Sequence, residues 1–245
     1  MIDLKNVSRS FDGKIAVRDL TLSVPPGCIF ACVGPNGAGK TTTIRMIVGL
    51  LLPTAGAITV GGHDVVREPV AAKRLLGYVP DQPFLYDKLT GREFLHFVGR
   101  IYSMPPPDVE RGVAEFAALF EMTGYLDELC ESYSHGMKQR VVLASALLHD
   151  PRVIVVDEPM VGLDPAGVRL VSALLRARAR DGVTVFMSTH TLSLVEDLAD
   201  EIGVLHKAEL VYRGSVADLR ARRGAGGKLE DAFFQLTLEE DASLG

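Results

Sequence analysis

The chain has 245 residues, 47% apolar and 23% charged, with a net charge of −5. That is enough to bury a large α/β core, and nothing in the charge points to nucleic acid. No apolar run approaches the roughly 20 residues that cross a bilayer, and residues 1–5 lack the shape of a secretory leader, so a cytoplasmic protein is expected unless a partner holds it at a membrane.

Residues 2–24 alternate apolar and polar, with Ile2, Leu4, Leu20, Leu22 and Val24 in phase,. Between the two runs lies Phe11-Asp12-Gly13-Lys14, a turn signal,. The pattern predicts an antiparallel hairpin whose turn carries an aromatic side chain, suited either to the core or to stacking on a purine base. Next comes an apolar strand over 28–33, then Gly34-Pro35-Asn36-Gly37-Ala38-Gly39-Lys40-Thr41-Thr42. This fits the phosphate-loop pattern, and Ile44, Ile47, Val48 and Leu51 continue it as a helix face,. A strand-to-helix turn aims several backbone N–H groups at one point, where the helix end adds partial positive charge. Lys40 is expected to reach the β- and γ-phosphates, and the Thr41 hydroxyl to ligate Mg²⁺.

Residues 57–60 and 76–80 predict short strands, with a helix over 68–76 between them; Asp81 and Gln82 follow directly. From about Thr90 to His149 the pattern turns helical. Leu95, Val98, Ile101 and Tyr102 are spaced as one face, Asp108 is placed to cap the next helix, and a third helix is expected to begin near Ser134,. The block, about 88–150, reads as a helical subdomain inserted in an α/β core.

Val153-Ile154-Val155-Val156-Asp157-Glu158 is a β-branched run ending in two carboxylates, the mark of a buried parallel strand with its C-terminal end at a site,. Asp157 is expected to bind the magnesium, and Glu158 to orient or deprotonate the attacking water. Pro165 is expected to open a helix. Residues 183–188 form another buried strand that ends at Thr189-His190, on the side where a γ-phosphate would sit. Residues 202–205 and 209–213 read as a hairpin of edge strands. Residues 222–227 read as a flexible joint and 229–236 as a final short helix. Cys28, Cys32 and Cys130 are an odd set with no CxxC pair, expected to be reduced and structural,.

Together these motifs resemble the nucleotide-binding subunit of an ATP-binding cassette (ABC) transporter, over roughly residues 2–237. The Walker A motif is residues 34–42, within which Gly34, Asn36, Gly37, Ala38, Gly39, Lys40, Thr41 and Thr42 match the nucleotide contacts. Gln82 matches the glutamine loop, a position that senses the γ-phosphate and Mg²⁺. Asp157 closes the Walker B motif and Glu158 is the catalytic-glutamate position. Gly162-Leu163-Asp164 matches the D-loop, His190 the switch histidine and Phe11 the adenine-stacking aromatic. Tyr133-Ser134-His135-Gly136-Met137 stands at the signature, ideally LSGGQ, keeping Ser134 and Gly136 but departing from it at Tyr133, His135 and Met137. Relaxed signatures of this kind, and the segment Leu229-Glu230-Asp231-Ala232-Phe233-Phe234-Gln235-Leu236-Thr237, resemble ABC-2-type exporters.

The resemblance implies a P-loop NTPase fold of ABC type. A mainly parallel core would carry an N-terminal antiparallel β subdomain and the inserted helical subdomain. The ATPase domain would span 1–220, and a joint with a helical tail 221–245. It implies ATP and Mg²⁺ (held by Thr41, Gln82 and Asp157) and hydrolysis by Glu158 with His190 and Gln82. It also implies a second ABC subunit, identical or related, supplying Ser134 and Gly136 to the shared site. A separate polytopic permease would hold the chain at the cytoplasmic face of the membrane, with export as the expected direction and no nucleic-acid partner. The main rival is a soluble ABC ATPase acting on ribosomes or DNA; such chains usually carry two cassettes or a long coiled coil, and this one shows neither.

Overall fold

Strands with no polar face organise the chain. A computed structural model describes residues 1–221 and 229–243. Its larger sheet contains β3 (Ile29–Val33), β6 (Leu76–Val79), β7 (Val153–Asp157), β8 (Thr184–Ser188), β9 (Glu201–His206) and β10 (Glu209–Ser215). Their spatial order is β10-β9-β3-β8-β7-β6, parallel throughout except for the β9–β10 hairpin. Every residue of β3, β7 and β8 is buried. Alternate side chains go to opposite faces, as a period of two requires. Ile29, Ala31, Val33, Ile154, Val156, Val185 and Met187 enter one core. Phe30, Cys32, Val153, Val155 and Phe186 enter the other, where the two phenylalanine rings stack at 5.3 Å. Complete burial of each large side chain contributes on the order of 1.5–3 kcal/mol, which is why the sheet is covered on both sides.

One cover is an antiparallel sheet with helix α1 (Lys40–Ile47). That sheet is built from β1 (Ile2–Phe11), β2 (Lys14–Val24), β4 (Ala55–Val60) and β5 (His63–Asp64), in the order β2-β1-β4-β5. The expected hairpin is present, from Ile2↔Val24 to Phe11↔Lys14. Asp12 (φ 47°) and Gly13 (φ 82°) form its two-residue turn in the left-handed region that matches strand twist,. A short helix, α2 (Pro69–Arg74), precedes β6.

The other cover is helical: α3 (Gly91–Ile101), α4 (Pro106–Leu119), α5 (His135–Leu147), α6 (Pro165–Arg180) and α7 (Leu192–Leu198), followed by α8 (Val216–Ala221) and α9 (Leu229–Ser243). Helices α3 to α5 make up the inserted helical subdomain, and the fold is of the expected α/β class. Thr90 caps α3 in a reciprocal box: the Glu93 N–H donates to Thr90 Oγ1 at 3.1 Å, and the Thr90 N–H to Glu93 Oε2 at 2.9 Å,.

Four local expectations are corrected. Ile101 is 62% exposed; the inward face of α3 is Phe94, Leu95 and Val98. Asp108 does not cap α4, which starts two residues earlier at Pro106; it lies in the first turn and pairs with Arg111 at 2.7 Å. Strand β9 is not an edge, because it pairs in parallel with β3 as well as antiparallel with β10. The last helix is longer than expected, running to Ser243. The joint expected at 222–227 lies outside the described residues. Cys28, Cys32 and Cys130 are free and buried, and burial pushes the Cys32 thiol up to about 12.

Candidate phosphate site

The loop between β3 and α1 is closed by backbone contacts. An added Cβ on Gly39 (φ 110°) would stand 2.5 Å from the Ala16 carbonyl oxygen. A side chain there is therefore excluded by both space and conformation. Lys40 is 8% exposed, and its ammonium donates to the carbonyl oxygens of Gly34 at 2.7 Å and Pro35 at 3.0 Å. A buried ammonium without such acceptors would be costly. Ala16, Asn36, Gly37, Gly39, Lys40, Thr41 and Thr42 line a cleft of about 370 Å³, closed on the far side by Asp81, Asp157, Glu158 and His190. Of the predicted residues, then, most of the loop, Asp157, Glu158 and His190 come together.

The sheet register explains why. Asp157 of β7 lies opposite Ser188 of β8, so the residues that follow, Glu158 and Thr189-His190, emerge side by side. The Ser188 hydroxyl donates to Asp157 Oδ1. Asp157 is 1% exposed, and burial raises its carboxyl above the usual range, with hydrogen bonds from Ser188 and Thr41 opposing the shift. Its other oxygen, Oδ2, is buried without a hydrogen-bond partner. A buried carboxylate oxygen left in this way, beside the Thr41 hydroxyl, suits a hard divalent cation. Glu158 is at φ 52°, with its N–H bonded to Ser188 O at 3.1 Å. Its carboxylate accepts from Thr189 Oγ1 at 3.3 Å and lies 2.8 Å from His190 Nδ1. An ionised carboxylate only accepts, so the ring nitrogen facing it carries the proton.

The remaining predicted residues stand elsewhere. Gln82 is exposed at the rim of a neighbouring cleft of about 610 Å³, which it shares with Asp81, His135, Lys138 and Glu158. Phe11 is 42% exposed at the hairpin end, with the Arg9 guanidinium 4.5 Å over its ring; it does not line the phosphate cleft. Ser134 and Gly136 occupy a third depression with Met137, Arg140, Gly162, Leu163 and Asp164. There the Ser134 hydroxyl accepts from the Met137 N–H at 3.3 Å and caps α5. Buried Tyr133 holds this end of the helix: its hydroxyl accepts from Gly91 N–H at 3.1 Å and faces the Tyr125 carbonyl at 2.9 Å. Ser188, Thr189 and Asp81 were not singled out from the sequence. A hydroxyl one residue before Thr189-His190 is the only local signal for Ser188, and its meaning depends on the strand register.

A family model described as ABC transporter matches residues 17–161. The chain is 36% identical to the ABC transporter ATP-binding protein NatA of Bacillus subtilis, over 89% of this chain and 91% of that one. It is 34% identical to the linearmycin resistance ATP-binding protein LnrL of the same organism, over 97% and 75%. Among solved structures, an ATP-binding subunit of an ABC transporter superposes with a TM-score of 0.92 at 31% identity, covering 97% of this chain and 99% of that one. A dimeric ATP-binding cassette bound to ADP and Pi has the same fold, with a TM-score of 0.79 at 24% identity over 88% and 98% of the two chains.

Proposed function

Because the chain belongs to the ABC transporter family and is an ATPase of that kind, we propose that it forms one half of an ATP-closed dimer that drives export through a separate polytopic permease. One observation carries this reading. The cleft at the 34–42 loop holds Asp157, Glu158 and His190, whereas Ser134 and Gly136 form a separate depression at an exposed helix N-terminus. Each copy thus has a nucleotide cradle and, elsewhere, a set of donors suited to a γ-phosphate.

In this reading the amides of the loop, with Asn36, Ala38 and Thr42, cradle the phosphates, and Lys40 exchanges its carbonyl partners for phosphate oxygens. Phe11 stacks on the adenine. Glu158 takes a proton from the attacking water as its oxygen bonds to the γ-phosphorus and the bond to ADP breaks. His190 holds the Glu158 carboxylate in place. Asp157 and Thr41 would hold Mg²⁺, with Gln82 joining them from the cleft rim; the ion would supply neutralising charge to the β- and γ-oxygens. Ser134 and Gly136 of a second ABC subunit, identical or related, would cap the γ-phosphate, so ATP would act as a clamp.

Export is supported by the Leu229-to-Thr237 segment and by the resistance role in LnrL's name. Among the described residues no helix is long and apolar enough to cross a membrane. In this reading the permease is a separate chain, as for relatives that are named as ATP-binding proteins, and the subunit works at its cytoplasmic face. Phe84 (71% exposed) and Tyr86, in the segment between β6 and α3, form a linked aromatic cluster with Phe97 of α3, a surface suited to a permease loop. The test is mild solubilisation of membranes followed by capture of this chain. A polytopic protein should copurify, and Phe84→Asp with Phe97→Asp should release it. Recovery of ribosomes or DNA-bound factors instead would overturn the reading.

A further inference from the structure

His135, one of the three signature positions that depart from the LSGGQ ideal, makes a specific contact within the chain. His135 sits against Gly162, in the loop that leads from Glu158 to α6. A Cβ added to Gly162 (φ +81°) would stand 2.7 Å from His135 Nε2 and closer still to Cδ2. On the same loop residue, a Cβ on Gly136 would stand 3.0 Å from the Gly162 carbonyl oxygen. Two residues further on, Asp164 caps α6 by accepting from Gly167 N–H at 2.9 Å and pairs with Arg140 of α5 at 3.7 Å. Three residues in the N-terminal half of α5, His135, Gly136 and Arg140, thus meet one short loop.

That loop is itself braced. The Val161 N–H donates to Glu158 O at 3.2 Å and the Leu163 N–H to Met160 O at 3.3 Å, giving two successive turns. The two turns overlap and together span Glu158 to Leu163, with Gly162 inside the second. His135 also lines the cleft that Glu158 enters. We propose that His135 is a positioning residue: its ring, seated on side-chain-free Gly162, locks the Glu158 loop to the Ser134–Gly136 end of α5. The state of a chain's own phosphate cleft would thereby set the position of the donors it offers to its partner's cleft. This rests on the shared-site reading above.

The experiment uses the full chain, in wild-type form and as His135→Ala, Gly162→Ala and the double variant. Turnover is measured at saturating MgATP, ATP affinity by calorimetry, and exchange of the Val161 and Leu163 amides by hydrogen–deuterium exchange. Each single change should lower kcat about three- to tenfold while leaving the ATP Kd within about twofold. The double variant should lose no more than the worse single, because both remove one contact. The two amides should exchange faster in His135→Ala, which introduces no backbone strain of its own. Losses that multiply in the double variant, turnover unchanged or raised in His135→Ala, or unchanged amide exchange would each overturn the lock. Wild-type turnover per chain that is independent of chain concentration would instead strike at the shared site, and the amide exchange rates would still decide whether His135 holds the loop.

Discussion

His190 Nδ1 lies 2.8 Å from Glu158 Oε1, joining the ends of β8 and β7 across the mouth of the phosphate cleft. The contact is one of three that hold Glu158 in a left-handed backbone conformation, with Thr189 Oγ1 and Ser188 O supplying the others. Such a conformation costs on the order of 1–3 kcal/mol for a side chain without special tolerance of it. It persists because two strand ends over-determine it, and its effect is to aim a carboxylate at the space beside Lys40 and Asp157.

Glu158→Gln should therefore preserve fold and nucleotide affinity while removing the proton acceptor. The amide can still accept from His190 through its oxygen, while its NH₂ group can donate to the Thr189 hydroxyl oxygen. Turnover should fall by about a hundredfold or more, and an ATP-bound dimer should accumulate in size-exclusion runs with MgATP. Undiminished steady-state hydrolysis would remove Glu158 from the role.

Lys40→Ala tests the cradle. The ammonium's two carbonyl acceptors lie inside the loop, so the charge is stored where the phosphates would arrive. Its removal should weaken ATP binding at least tenfold in calorimetry. Unchanged affinity would count against the loop as the phosphate site.

Ser134→Arg places a long cation at the exposed N-terminus of α5, outside the chain's own phosphate cleft. ATP binding to the isolated chain should be unaffected, whereas hydrolysis should stop wherever two copies must close. A rate that is independent of protein concentration, and indifferent to this change, would show that the site is complete within one chain.

Much of this was legible because it is local. The β-branched run that ends at Asp157, the strand-to-helix turn at the glycine-rich loop and the helix start near Ser134 are each written in consecutive residues, and each forms as read. What escaped depends on register or packing. Ser188 meets Asp157 only because β7 and β8 pair in parallel in one alignment. Strand β9 reads as a hairpin edge until β3 is placed beside it. Ile101 fits a helical period, but α3 ends there with that side chain facing out. The contact of His135 with Gly162 joins residues far apart in the chain, and no spacing rule could have announced it.

His149 provides a pH test that is independent of catalysis. Its ring stacks on Tyr102 at 3.5 Å, and Nε2 lies 3.0 Å from the Leu76 carbonyl oxygen, so that nitrogen carries the proton. Nδ1 is buried with no hydrogen-bond partner. Protonating it would create a charged donor with nothing to receive it, and burial accordingly lowers the group from 6.5 to about 4. The unfolded chain therefore binds this proton at a higher pH than the folded one. The contribution to stability is complete above about 6.5, is lost as pH falls towards about 4, and changes no further below that,. His149→Phe keeps a ring against Tyr102 but has nothing to titrate. It should be less stable at pH 8, because the Leu76 carbonyl loses the imidazole donor and keeps only the longer bond, from the Tyr102 hydroxyl at 3.3 Å, yet its urea midpoint should fall less steeply between pH 6.5 and 4 than that of the wild type. Parallel slopes for the two proteins across that window would show that His149 is protonated in the folded state, and that the stacked pair does not hold the imidazole neutral.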